Sequence, residues 1–160
     1  MGTNVDAFAH IPCALHIEDV YRVLSEHPPR SEEDGQFAPE ALDDLVASRA
    51  GVAFDVILTW DLFSYLEGAT VQGLMARLTR RCQPGTLLFA LAFMGAEIPA
   101  RPGICRIGEG ARLRIDPGTT ERMRNPRPSP GMLERMMPGF RLQHSFLSQV
   151  GVQEYLFGFS

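Results

Sequence analysis

The chain has 160 residues, a length that suits one domain with a single core, and a formal net charge of −4. All of its basic residues are arginines, interspersed with the acidic ones, so no basic stripe offers the phosphate-neutralising surface that nucleic acid needs. Cys13, Cys82 and Cys105 are odd in number and lack CxxC spacing, which argues against a disulfide framework and a zinc site and for reduced, buried thiols.

In chain order, 13–17 (CALHI) is a short apolar run ending in the carboxylates Glu18 and Asp19, as a buried strand emerging at a sheet edge would. Asp19 is placed to cap a helix over 20–26, which Pro28 and Pro29 stop. The polar stretch 28–36 is expected as a flexible surface loop, and 39–47 (PEALDDLVA) as a short amphipathic helix with Leu42, Leu45 and Val46 inward. The strongest strand pattern is 54–58 (FDVIL), whose continuous apolar character suits a parallel strand covered on both faces. It runs into Thr59, Trp60 and Asp61. Helical spacing follows over 62–66 and resumes after Gly68 through Val71, Leu74, Met75 and Leu78, with Arg77, Arg80 and Arg81 at the end that the helix dipole favours. A Pro-Gly turn then leads into a strand over 86–93 (TLLFALAF).

The segment 95–128 reads as an insertion rich in Pro, Gly and Arg, in which 104–107 and 112–115 flank Gly108-Glu109-Gly110 as a hairpin. Its arginines, among them Arg101, Arg106, Arg112, Arg114, Arg122, Arg124 and Arg127, suit a solvated loop or a lid for an anionic substrate. Ser129 can cap a helix beginning at Pro130, with Met132, Met136 and Met137 facing a core. Strands over 140–147 and 152–159 close the chain as an antiparallel hairpin, with His144 expected as a satisfied structural histidine. The predicted architecture is one α/β domain over 1–160, a mostly parallel sheet with helices on both faces and a C-terminal antiparallel hairpin. No apolar run approaches the roughly 18 residues of a membrane span, and no basic-then-apolar leader is present, so the expectation is a cytoplasmic protein without a membrane partner.

The order FDVILTWDLFSYLE, helix, QPGTLLFALAF, insertion, SPGMLERMMPGF and terminal hairpin is similar to the second half of class I S-adenosylmethionine-dependent methyltransferases, a Rossmann-like family. That likeness covers 54–160. Upstream, Gly2-Thr3-Asn4-Val5, a helix-like segment, the 13–17 run and Glu18-Asp19 resemble the tail of the family's glycine-rich loop, the helix after it and the acidic end of the second strand. On this resemblance the chain is truncated: it begins just after the family's first strand. The 13–17 and 54–58 strands are therefore expected to pair directly, or an upstream segment to fill the gap.

The resemblance implies S-adenosylmethionine as cofactor, with Gly2 in its loop and Glu18 and Asp19 accepting hydrogen bonds from ribose hydroxyls. Thr59, Trp60 and Asp61 stand at the carboxyl end of a strand, where open α/β sheets bind ligands. Thr59 and Trp60 are assigned to the cofactor, Trp60 by stacking on adenine or on a substrate. Asp61, Tyr65 one helical turn further on, and Met94 beyond the 86–93 strand are assigned to the acceptor pocket. Each has a structural alternative: helix capping for Glu18, Asp19 and Asp61, and core packing for Trp60 and Tyr65. Methyl transfer from a sulfonium is an in-line displacement that positioning and desolvation can promote without a dedicated base, which accounts for the missing catalytic motif. The acceptor, small molecule or protein, is not specified by the sequence. The alternative function is a non-catalytic methyltransferase-like interaction domain without cofactor binding, forming a homodimer along an exposed strand.

Overall fold

A computed structural model describes residues 3–26, 42–43, 51–108, 112–148 and 151–160. Its helices are α1 (Thr3–Phe8), α2 (Val20–Glu26), α3 (Gly68–Leu78) and α4 (Pro130–Met136), and a 3-10 turn covers Leu62–Ser64. The strands are β1 (Phe54–Trp60), β2 (Cys82–Phe93), β3 (Glu97–Pro99), β4 (Ile104–Ile107), β5 (Leu113–Asp116), β6 (Arg122–Arg124), β7 (Phe140–Leu147) and β8 (Val152–Phe159).

The main sheet has the order β1-β2-β8-β7. β1 and β2 run parallel, with Ile57 beside Leu88, because α3 supplies the crossover that a parallel pair requires. β8 lies antiparallel to β2, with Tyr155 beside Ala90, and β7 antiparallel to β8. The expectation of a mostly parallel sheet is therefore corrected: one described pair is parallel and two are antiparallel. The reason is that the strand expected over 13–17, which was to extend the parallel part of the sheet, does not form, so β1 and β2 alone pair in parallel in the main sheet among the described residues.

The strand expected over 13–17 does not form. Residues 12–19 have no regular secondary structure, Ile17 is 49% exposed and Cys13 is exposed. The predicted pairing of this run with β1 is likewise not made, and β1 leaves its outer edge unpaired among the described residues, with Val56 53% exposed. An apolar run of five residues has little to gain as a strand when its polar ends are already engaged: His16 pairs with Glu18 at 3.2 Å, and Asp19 accepts from the Arg22 amide at 3.1 Å as the cap of α2. The loop expected at 28–36 lies outside the described residues. So does the 39–47 helix, apart from Leu42, which is buried, and Asp43, which pairs with Arg77.

Alternation along β2 sends its side chains into two separate cores. Leu88, Ala90 and Ala92 join Val71 and Met75 of α3, Leu133 and Met136 of α4, and Phe140 and Phe157. The two alanines let the helices approach the sheet closely. Leu91 faces the other way, toward Cys105 and Val152, with Trp60, Phe89, Leu113 and Ile115 around them. Among the described residues, α3 and α4 thus cover one face of the sheet, and the β4–β5 hairpin of the insertion covers the other. This corrects the expectation of helices on both faces. A third small core, Leu24, Leu42 and Leu74, seats α2 on α3.

Helix α1 is tied to β4 by the Asn4 side chain. The Asn4 amide donates to the Cys105 carbonyl at 2.6 Å and accepts from the Ile107 amide at 3.0 Å, so it behaves as one residue of a strand paired to β4. No helix among the described residues is long and apolar enough to cross a membrane.

Candidate functional site at the carboxyl end of the parallel strand

β1 ends in backbone that most sequences avoid. Trp60 has φ 50°, in the left-handed region, where a bulky residue carries roughly 1–3 kcal/mol of strain. Asp61 follows at φ −91°, ψ 10°, in the sparsely populated bridge region. The β1–β2 register shifts between Leu58, opposite Phe89, and Trp60, opposite Ala90, so β1 carries an irregularity just before its end. Local strain of this kind persists only where surrounding contacts hold it, and here the Trp60 ring stands edge-on to Phe89 at 6.2 Å.

Asp61 is 3% exposed. Its side chain does not cap the 3-10 turn; instead its carbonyl accepts from the Ser64 amide at 2.9 Å. The capping alternative for Asp61 therefore does not describe what its carboxylate does. Burial raises the carboxyl from 3.8 to about 6, partly offset by a hydrogen bond from its own backbone amide, and Oδ2 has no partner. The buried Ser64, Tyr65 and Thr70 hydroxyls are also without partners.

Tyr65, one turn on, is raised first by burial, then by the charge of Asp61 and by Tyr21, while Arg122 acts in the opposite direction. Its ring meets Tyr21 of α2 edge-to-face at 6.0 Å. Cys105 of β4 is pushed up to about 12 by burial and then by Asp61. Asp61 thus acts electrostatically on both Tyr65 and Cys105, and Tyr21 and Arg122 act on Tyr65. Nothing in the sequence marked Tyr21 or Cys105, because α2 and the insertion hairpin reach the site only through tertiary packing. Arg122 was visible as one of the insertion's arginines; its guanidinium donates to the Glu97 carbonyl at 2.9 Å.

The other expected site residues are placed differently. Thr59 is 7% exposed and spends its hydroxyl on the Phe89 carbonyl at 3.0 Å. Met94 is 45% exposed, and its amide donates to Gly151 at 2.9 Å, which ties it toward the β7–β8 turn. Glu18 and Asp19 lie just before α2, whose Tyr21 touches Tyr65. An ionised carboxylate offers about four lone-pair sites, so Glu18, bonded to His16, and Asp19, bonded to the Arg22 amide, both keep capacity for ribose hydroxyls. Gly2 lies outside the described residues.

Asn125 fixes the loop after β2. It is 5% exposed, donates to the Phe93 and Gly95 carbonyls at 2.5 and 2.8 Å, and accepts from the amide of Arg127, itself at φ 50°. Two expectations outside the site are corrected. His144 is exposed rather than a buried structural histidine, because the far half of β7 faces solvent. Cys13 is exposed rather than buried.

No protein-family model and no curated protein matches this sequence. Among solved structures, the chain is similar to the glycopeptide N-methyltransferase MtfA complexed with S-adenosyl-L-homocysteine, at 14% identity and a TM-score of 0.45, over 77% of this chain and 64% of that one. It is similar to the CcbJ methyltransferase from Streptomyces caelestis at 12% identity and a TM-score of 0.45, over 71% of this chain and 60% of that one. A third similar structure is the pyocyanin biosynthetic protein PhzM, at 12% identity and a TM-score of 0.44, over 77% of this chain and 39% of that one. MtfA has also been solved with S-adenosyl-L-methionine and with sinefungin. The chain spans 60–64% of the length of the first two.

Proposed function

We propose that this chain is a methyltransferase-type protein that binds S-adenosylmethionine and presents a small-molecule or protein acceptor at Asp61, in the cytoplasm. One observation carries the reading. The parallel strand β1 ends in a strained, buried Trp60-Asp61 corner, in a sheet whose order β1-β2-β8-β7 places the reversed last strand where the resembled family has it. Ligands of open α/β sheets bind beyond the carboxyl ends of the strands, and this corner is such an end.

S-adenosylmethionine, when bound, supplies an electrophilic methyl group. The chain's own residues supply the rest. Glu18 and Asp19 would accept from the ribose, the Trp60 ring would stack, and Gly2 would belong to the cofactor loop. Asp61 is ionised at neutral pH, with an unpartnered oxygen that can orient an acceptor or take its proton. Burial of Asp61, at 3% exposure, keeps water from that oxygen.

Isothermal titration with S-adenosylmethionine and S-adenosylhomocysteine tests the reading. Binding of both is expected, weakened at least tenfold in Glu18→Ala/Asp19→Ala. Absence of binding by either compound overturns it. The second reading, a non-catalytic interaction domain that pairs with a second copy, draws support from the open edge of β1, where Val52 and Val56 are 54% and 53% exposed. It requires a dimer in sedimentation velocity that Val56→Lys abolishes, together with no cofactor binding.

A further inference from the structure

We infer that the distal half of the insertion is a hinged cover over the Trp60 corner, in which β4 and β5 open as one piece about a double Pro-Gly joint while β3 and β6 stay in place. The inference rests on the packing of the fold and holds whether or not the chain transfers methyl groups.

The insertion is one ribbon in two halves. β3 pairs with β6, and β4 pairs with β5 nested between them. Between the halves the ladder is interrupted: the basal half ends in a bond from the Ala100 amide to the Glu121 carbonyl at 2.8 Å, and pairing resumes at Ile104 opposite Asp116. Pro102-Gly103 lies in one link and Pro117-Gly118 in the other. A proline has no amide to give to a ladder, so neither link can carry the pairing through. The glycines stand where the two links cross. A β-carbon at Gly103 would collide with the Asp116 carbonyl, and one at Gly118 with the Pro102 carbonyl. Short links of this kind are where a hinge takes up backbone rotation.

The two halves are held unequally. In the basal half Ile98 is 0% exposed, and Asn125 bonds the Phe93 and Gly95 carbonyls through its side chain and the Ala96 carbonyl through its amide. In the distal half alternation turns Cys105, Leu113 and Ile115 to the sheet, where they join Leu91 and Val152, with Trp60 and Phe89 packed against the same cluster. Of these three only Cys105 is buried. The Asn4 side chain latches β4 to α1. On the outer face Asp116 of β5 accepts from Arg106 of β4 at 2.8 Å and from Arg114 at 2.9 Å, which ties the two strands into one unit. A unit seated on few apolar contacts opens well below the free energy of global unfolding. Its opening bares the Trp60 corner, and its closure excludes water from it.

The chain carries its own reporters. Trp60 is its single tryptophan. Cys105 is 5% exposed, and burial pushes its thiol up to about 12, so the closed form is inert to thiol reagents. In Cys13→Ala/Cys82→Ala, Cys105 is the one remaining thiol, and its labelling by dithiobisnitrobenzoate is followed across sub-denaturing urea beside amide hydrogen exchange. Labelling about a hundredfold or more faster than global unfolding permits, with little dependence on urea, is expected. The Ala100 and Asn125 amides should exchange roughly tenfold or more slowly than the Ile107 amide. Asn4→Ala should quicken labelling about tenfold and raise acrylamide quenching of Trp60. Gly118→Ala should quicken labelling too, whereas Gly131→Ala, where a β-carbon meets nothing within 4 Å, leaves it unchanged. If Gly118→Ala does not fold, Asn4→Ala decides. Labelling that keeps the rate and urea dependence of global unfolding overturns the cover. So does exchange of Ala100 and Asn125 in step with Ile107, which puts the hinge elsewhere, or Trp60 quenching that stays constant while Cys105 labelling rises. Calorimetry with S-adenosylhomocysteine addresses the methyl-transfer reading separately, and neither result entails the other.

Discussion

Asp61 carries the clearest energetic signature at the scale of one residue. Its folded carboxyl titrates at about 6 against 3.8 in the unfolded chain, so the native state holds the proton more tightly. Below pH 4 both states are protonated and the group costs nothing. Between pH 4 and 6 the unfolded chain ionises while the native carboxyl keeps its proton, so stability falls by about 2–3 kcal/mol as pH rises through that window and levels off above it. Asp61→Asn removes that charge while keeping the shape. The variant should therefore be more stable than the parent by about 2–3 kcal/mol at pH 8 in urea melts, with the gap closing as pH falls toward 4. A constant gap across that range would assign the effect to something other than ionisation. The sequence made Asp61 a candidate by its position after a strand, but its orphaned oxygen depends on Tyr65, Cys105 and the turn closing around it.

Among the elements, α1 shows how a contact invisible in sequence sets an arrangement. The Asn4 side chain joins α1 to β4 by two hydrogen bonds, donating to the Cys105 carbonyl and accepting from the Ile107 amide, and Cys105 feels the Asp61 charge. Asn4→Ala leaves the Ile107 amide and the Cys105 carbonyl without these partners. Hydrogen exchange at Ile107 and throughout α1 should accelerate at least tenfold, while β2 and β8 amides keep their protection. Equal acceleration everywhere would mean that α1 supports the whole fold instead. The caps of α2 and α4 were readable in advance, since Asp19 and Ser129 sit one residue before helical periodicity and accept from the amides of Arg22 and Met132 at 3.1 and 3.3 Å. The run at 13–17 forms no strand because apolar content alone does not make one; the run must also pair, and it stays off the open edge of β1 with its end engaged at Glu18 and Asp19 instead.

For the molecule as a whole, stability is concentrated in the middle of the sheet and thins toward its two edges. Phe157 of β8 is fully buried among α3, α4 and β2, whereas Phe146 on β7 is 65% exposed. Phe157→Ala should cost about 3–5 kcal/mol in chemical denaturation and Phe146→Ala no more than about 0.5 kcal/mol. Comparable losses would place the core elsewhere. Local patterning by itself determined the strands, the α3 crossover, the helix caps and the terminal hairpin, because these follow from side-chain period, turn residues and propensity within a few residues. Only the tertiary structure decided the face that the insertion covers, the open edge of β1, and the approach of Tyr65 to Tyr21 of α2 and of Asp61 to Cys105 of β4. Those features join residues far apart in the chain, and their energies come from burial and unpaired charge, which no local pattern encodes.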